Sequence, residues 1–371
     1  MIRRLLSSLW LLCVLSSPAW AGEAEAIAAY QAGDFAAALS ELLPLAEQGN
    51  ATAQTVLGFM YANGQGVRQD DAQTVKWFRL AAVQGSADAQ HNLGFIYETG
   101  LGVPQDSLEA VKWYSLAAGQ GHADAQYNLG AMYRNGAPGI AQDFAEAAKW
   151  YKLAADQGDP YAQLDLGLLY ANGQGVAQDY TAAGRWFGSA AAQDYAPAQF
   201  NLGNLSFNGL GVARNEVRAV EWFRLAARQN YAPAQFSLGV AYNTGRGVPP
   251  DDRQAAEWFR LAADQGYAAA QSNLGLLYDH GQGLPQDDLE AVKWYSLAAE
   301  QGDANAQNAL GAMYKNGYGV SHDDVLAYKW LYLAVQQGHP DAAKALSGVA
   351  KNMTPDDVAA ARKLASDWAR R

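Results

Sequence analysis

The sequence predicts an all-α fold, a right-handed α-solenoid of paired antiparallel helices. Three observations predict it. First, tryptophan keeps a beat: Trp77, Trp113, Trp150, Trp186, Trp222, Trp258, Trp294 and Trp330 step by 36 residues, with one step of 37 between Trp113 and Trp150. Second, a Leu-Gly pair keeps the same beat, from Leu57-Gly58 through Leu93-Gly94, Leu129-Gly130, Leu166-Gly167, Leu202-Gly203, Leu238-Gly239 and Leu274-Gly275 to Leu310-Gly311. Third, each period holds two stretches of helical spacing separated by glycine breakers. A fixed period of roughly 20–50 residues marks an array, in which each unit buries its apolar face by stacking on the next. This overrides the two or three compact domains that 371 residues would otherwise suggest.

Residues 1–21 stand apart from the array. Arg3-Arg4 open them, an apolar run covers 5–15, and Ala19-Trp20-Ala21 forms an A-x-A site. This reads as a secretory signal peptide cut after Ala21; the run is too short to span a bilayer. Cleavage removes Cys13, the sole cysteine. The mature chain is then expected in the periplasm or outside the cell, without disulfides, a thiolate nucleophile, a Cys-ligated metal or an integral membrane segment. Residues 22–49 form a shorter helix pair that caps the array. Eight full units follow: 50–85, 86–121, 122–158, 159–194, 195–230, 231–266, 267–302 and 303–338. The 37-residue unit carries its extra residue in the loop Gly136-Ala137-Pro138-Gly139.

Residues 86–121 show the unit's logic. Ala89, Leu93 and Tyr97 lie four apart, on one face of a first helix. Gly94 has no side chain, so the next helix can approach. Gly100-Leu101-Gly102-Val103-Pro104 breaks the helix. Asp106 caps the second helix and Glu109 is placed for a capping box, as are Asp143/Glu146 and Asp287/Glu290. Ala110, Trp113, Tyr114, Ala117 and Ala118 form its apolar face, and Gly121 stops it in a left-handed conformation. Two units place Asp194 and Asn230 there, residue types that tolerate that conformation. Residues 339–371 supply C-terminal capping helices. The last starts at Thr354 as N-cap, with Pro355 at its first position and Asp356-Asp357 against the helix dipole.

Apolar residues make up 50% of the chain, enough to build a core. The formal charge is −11 and no long basic run occurs, which argues against nucleic acid and anionic lipid as partners.

The period A-x-A-Q-x-x-L-G-x-x-Y-x-x-G-x-G-V-x-x-D-x-x-x-A-x-x-W-[YF]-x-x-A-A-x-Q-G resembles the Sel-one-like repeat, a relative of the tetratricopeptide repeat. The likeness covers about residues 50–338, and the pair at 22–49 is tetratricopeptide-like. One unit departs, with Ser206 where the others place Tyr, followed by Phe207. The resemblance implies a protein-protein interaction scaffold or adaptor that binds a partner protein or peptide in a concave groove. It leaves two alternatives. Some exported relatives are β-lactamase-like or penicillin-binding proteins, but those are cysteine-rich; others restrain a membrane sensor from the periplasm.

The remaining chemistry reads as structural. The G-x-G pairs follow helices and lack the third glycine of a dinucleotide loop. The repeating Trp read as core. His91, His122, His280, His322 and His339 fall at variable positions and read as surface residues, without zinc spacing. Asp70-Asp71, Asp251-Asp252 and Asp323-Asp324 lack a calcium-loop ladder and read as caps. No nucleophile motif, cofactor loop or metal site is legible. The resemblance implies that positions five and two before, and two and five after, the constant Leu face the groove. On that basis Tyr127, Tyr161, Leu164, Leu168, Phe200, Phe207, Phe236 and Val240 would form one apolar floor, of the kind that marks partner sites. Just before that Leu runs a polar column including Asn92, Asn128, Asp165, Asn201, Ser237 and Asn273. In related arrays such an Asn bonds a bound peptide backbone, so Asn128 and Asn201 join the candidates; bonds within the array are the alternative.

Overall fold

A computed structural model describes residues 22–370. The expected signal peptide lies outside them. Among the described residues are twenty helices, in pairs: α1 (Glu23–Gln31) with α2 (Phe35–Glu47), α3 (Ala51–Asn63) with α4 (Asp71–Val83), α5 (Ala87–Thr99) with α6 (Ser107–Gly119), α7 (Ala123–Asn135) with α8 (Phe144–Asp156), α9 (Pro160–Asn172) with α10 (Tyr180–Ala191), α11 (Ala196–Asn208) with α12 (Glu216–Arg228), α13 (Ala232–Thr244) with α14 (Asp252–Asp264), α15 (Ala268–His280) with α16 (Asp288–Glu300), α17 (Ala304–Asn316) with α18 (Asp324–Gln336), and α19 (Ala342–Ala350) with α20 (Pro355–Ala369). An isolated bridge joins Ala137 to Ile140 in the loop of the 37-residue period. The chain divides into two compact units, one running to Ala190 and the other from Ala191. Within each, helices pack on their chain neighbours; α20 instead lies against α18.

Caps set the helix starts. Asp70, Asp106, Asp143, Asp251, Asp287 and Asp323 each accept a bond from the first turn of a second helix. Each such cap contributes about 1 kcal/mol. The three expected capping boxes do not close. Glu109 Oε2 accepts from the indole Nε1 of Trp113 at 3.0 Å, and Glu290 Oε2 from Trp294 at 3.1 Å. Glu146 pairs with Lys149. A partly buried indole N–H has few other acceptors, so it captures the carboxylate that would have turned back to the cap. The box that does form is Thr354/Asp357. At the helix ends Asp194 and Asn230 do take positive φ, 57° and 61°.

Each core cluster joins the second helix of one period to the first helix of the next. Ala255, Phe259, Ala262 and Ala263 of α14, for example, pack with Ala270, Leu274 and Leu277 of α15. The Leu-Gly pair makes the closest approach. A Cβ built on Gly94 would lie 2.6 Å from the ring of Tyr114, and one on Gly239 would lie 2.4 Å from that of Phe259. The residue after each Trp is therefore the deepest anchor: Phe78, Tyr114, Tyr151, Phe187, Phe259 and Tyr295 rank among the largest fully buried side chains. The Trp themselves are less uniform than expected. Trp77, Trp113, Trp294 and Trp330 are buried, whereas Trp150, Trp186, Trp222 and Trp258 are half-buried. Trp113 and Trp294 are members of the buried cluster built by the previous second helix and their own first helix, whereas Trp150, Trp186 and Trp258 pack against the corresponding cluster as partly buried residues.

The glutamine of A-x-A-Q ties the layers. Buried Gln90 Nε2 donates to the Ala82 carbonyl at 3.0 Å, and its Oε1 accepts from Gln120 Nε2 at 2.7 Å. Gln54, Gln126, Gln235, Gln271 and Gln307 repeat both bonds. An amide donates and accepts at once, so one side chain satisfies a helix-end carbonyl and holds the following second helix.

Candidate protein-binding face

The accessible columns of the first helices follow from the helix period. The constant Leu points into the core: Leu57, Leu93, Leu129, Leu238 and Leu274 show no exposure. Two residues later Phe59, Phe95, Leu168 and Val240 are half-buried, and Leu276 is exposed. All ten predicted site residues are half-buried: Tyr127, Asn128, Tyr161, Leu164 and Leu168 in the first unit, and Phe200, Asn201, Phe207, Phe236 and Val240 in the second.

The aromatics do not stand alone. Tyr127 of α7 packs its ring against Tyr151 at 5.6 Å and Tyr161 of α9 at 6.2 Å. In the second unit Phe200 meets Phe223 at 5.8 Å and Tyr231 at 5.6 Å, and Phe236 meets Phe259 at 5.7 Å and Tyr267 at 5.3 Å. Each unit thus carries its own strip of linked rings, tied below to a buried second-helix aromatic. Tyr231 and Tyr267 escaped the sequence reading. Their signal was position: like Tyr195 of α11, they occupy N-cap sites where α3, α5, α7, α9 and α17 place Asn, Ser, His or Asp, and neither makes a side-chain cap bond. Phe207 is covered by the Arg246 guanidinium, 3.9 Å from its ring centre, while Arg246 pairs with Glu216 at 2.6 Å.

The polar column turns largely inward. Asn92, Asn201 and Asn273 donate to carbonyls of their own helices, at Asp88, Pro197 and Ala269. Asn128 bonds the His91 ring at 3.0 Å. Asp165 pairs with Arg134 of the preceding first helix at 2.9 Å. Burial raises the Asp165 pKa, against the opposing pull of Arg134. Burial, then the Asp165 charge, raises the hydroxyl pKa of Tyr127 and Tyr151. Arg134 also went unpredicted, because its partner lies in the next period.

Two histidines depart from the surface reading. His91 and His122 stack at 4.7 Å, and His122 caps α7 while bonding Asp88 at 3.2 Å. Burial, then the neighbouring His122, lowers the His91 pKa from 6.5 to about 4. The pair fills the position at which Phe200 meets Tyr231 three periods on. Among the described residues no three His, Cys, Asp or Glu side chains gather to hold a metal ion, and no helix is long and apolar enough to cross a membrane.

A strip of half-exposed rings and aliphatics, floored by a rigid core, can bury apolar side chains of a partner; its polar atoms mostly serve the array itself. Comparison with known proteins agrees with the repeat. The Sel1 repeat model matches eight times, at residues 51–86, 87–122, 123–159, 160–195, 196–231, 232–267, 268–303 and 304–339. No curated protein sequence matches the chain. A Sel1 repeat protein from Oxalobacter formigenes aligns at 32% identity and a TM-score of 0.70, covering 93% of this chain and 99% of that one. A protective antigen of uropathogenic Escherichia coli with an SLR fold aligns at 34% identity and a TM-score of 0.60, covering 93% of this chain and 83% of that one. Proteins of this repeat class are typically non-enzymatic and bind other proteins. With eight successive matches across residues 51–339, the chain belongs to the Sel1 repeat family.

Proposed function

We propose that the chain is an exported, non-enzymatic scaffold that holds a partner protein or peptide on the first-helix face. The observation that carries this reading is the placement of the variable apolar positions. Tyr127, Tyr161, Leu164 and Leu168 in one unit, and Phe200, Phe236 and Val240 in the other, stay half-buried, while the constant Leu129, Leu166 and Leu238 beside them are buried and Leu202, beside Phe200, is half-buried. A solvated face has no reason to hold rings at equivalent positions in successive periods, and aromatic anchors commonly dominate binding energy. Export rests on residues 1–21, with the cut after Ala21, and places the scaffold in the periplasm or outside the cell.

The test is crosslinked capture from envelope extracts by wild type, by Val240→Glu with Leu276→Glu, and by a surface control, Leu153→Glu. Loss of the partner in the first variant, with helical circular dichroism and retention by the control, supports the reading; unchanged capture refutes it. The N-terminal mass of the mature protein tests export, and a chain still starting at Met1 refutes it. Hydrolysis of a chromogenic β-lactam, abolished by a point mutation, would make the β-lactamase-like alternative correct.

A further inference from the structure

Two joints of the array carry the same notch, and the chain itself fills one of them. The first lies between the end of α2 and the outer side of α4. It is a cavity of about 490 Å³ whose walls include Glu47, Gly49, Lys76, Trp77 and Leu80. Seven periods later the same residue types recur as Glu300, Gly302, Lys329, Trp330 and Leu333. The glutamate is not part of the general repeat: the other periods place Val83, Gly119, Asp156, Arg228 or Asp264 at this position, among others.

At the second notch Trp368 of α20 is seated. Its indole Nε1 donates to Glu300 Oε2 at 2.7 Å. Its ring crosses that of Trp330 edge-on, 6.2 Å between centres at 71°, and its outer edge lies beside Gly302. Leu333, in the cluster with Trp330 and Ala365 against which Trp368 packs, is only 6% exposed. At the first notch Leu80 is 39% exposed, as are its other counterparts Leu116, Leu153, Leu225, Leu261 and Leu297 at 40–47%. The Glu47 side chain makes no hydrogen bond or ion pair with the described residues. The first notch therefore presents an acceptor and an apolar shoulder that no described side chain covers, beside the buried ring of Trp77, over which the Lys76 ammonium lies at 4.3 Å.

We propose that this N-terminal notch is a second binding site, outside the first-helix face, for a tryptophan presented by an amphipathic helix of a partner protein. The chain's own α20 defines the partner's chemistry. Ala361 and Ala365 precede Trp368 by about two turns and one turn on one face, so small residues let the helix lie close while the indole enters the notch. Indole suits the site because its ring is apolar and its one polar atom is a donor, which a glutamate satisfies. A second copy of this chain is the weaker occupant. Its Trp368 reaches Glu47 only by abandoning Glu300 and uncovering Leu333.

The probe is a fluorescein-labelled peptide of residues 354–370, titrated against the full mature chain. Saturable binding is expected. Tryptophan-to-alanine in the peptide should weaken it roughly thirtyfold, as for a central aromatic anchor. Glu47→Gln should weaken it about tenfold and Leu80→Glu at least as much, while Leu153→Glu, Leu276→Glu and Glu300→Gln leave it unchanged. The Leu276 variant separates this site from the first-helix face. Three results overturn the proposal: no binding, binding lost in Glu300→Gln and kept in Glu47→Gln (exchange with the resident helix), or self-association of the chain that requires its own Trp368.

Discussion

Gly239 offers a quantitative test of the packing logic. Glycine inside a helix costs about 1 kcal/mol relative to alanine, so Gly239→Ala would stabilise an isolated α13 by that amount. The tertiary structure reverses the sign. The new Cβ would stand 2.4 Å from Cδ1 and 2.5 Å from Cε1 of Phe259. Reaching ordinary contact requires the ring to retreat by about 1 Å. Phe259 is 1% exposed and packed among Ala255, Ala256, Ala262 and Leu274, so it has nowhere to go. Overpacking of this kind costs about 3 kcal/mol at the upper end of its usual range, leaving a net loss of about 2 kcal/mol. Urea unfolding followed by far-ultraviolet circular dichroism measures it, with Phe259→Ala and the double variant completing a cycle. The double variant should be less damaged than the sum of the singles by about 3 kcal/mol, because without the ring the overpacking cost disappears. Gly119→Ala, in the last turn of α6 with no atom within 4 Å of the added Cβ, is the control and should stabilise by up to about 1 kcal/mol. A neutral or stabilising Gly239→Ala would refute the claim that close approach, rather than drift, places glycine after the constant Leu.

The His91–His122 stack should make stability pH-dependent. Unfolded His91 takes its proton near 6.5 and folded His91 resists until about 4, so stability falls by up to about 3 kcal/mol as pH drops through that window and levels off below it. His122 lowers the Asp88 pKa and so moves its titration away from that window, whereas burial raises the Asp165 pKa and moves its titration toward it. His91→Phe should flatten the slope between pH 6.5 and 4; an unchanged slope assigns the dependence elsewhere. Gln271→Leu should cost about 1 kcal/mol, since it removes the bonds to the Ala263 carbonyl and from the Gln301 amide, which keep Gly266 N and the Leu297 carbonyl as remaining partners; denaturation at wild-type urea concentration would show that the two lost bonds contribute nothing. Trp186→Ala, at a half-buried ring, should cost less than Phe187→Ala at the fully buried one; the reverse order would restore tryptophan as the central anchor.

The period determined most of the architecture by itself. Trp and Leu-Gly on one beat, Asp at second-helix starts, and Gly, Asp194 or Asn230 at their ends placed the helix pairs, because caps, breakers and left-handed turns are local physics. Long-range pairing was legible only where one residue demands a missing atom in another, as glycine does beside an aromatic ring. What the tertiary structure decided is where a side chain has a choice of partners. Glu109 and Glu290 left their caps for tryptophan indoles that lie one turn further on. Asn128 turned to His91, and Asp165 to Arg134, across a period boundary that no local rule spans. Tyr231 and Tyr267 joined the aromatic strips from positions that the repeat assigns to caps. The equivalence of the Glu47 and Glu300 notches was written in the sequence, yet its meaning depended on Trp368, 68 residues beyond Glu300, folding back onto it. Burial and chain return are set by the whole array, so they appear only once its layers are stacked.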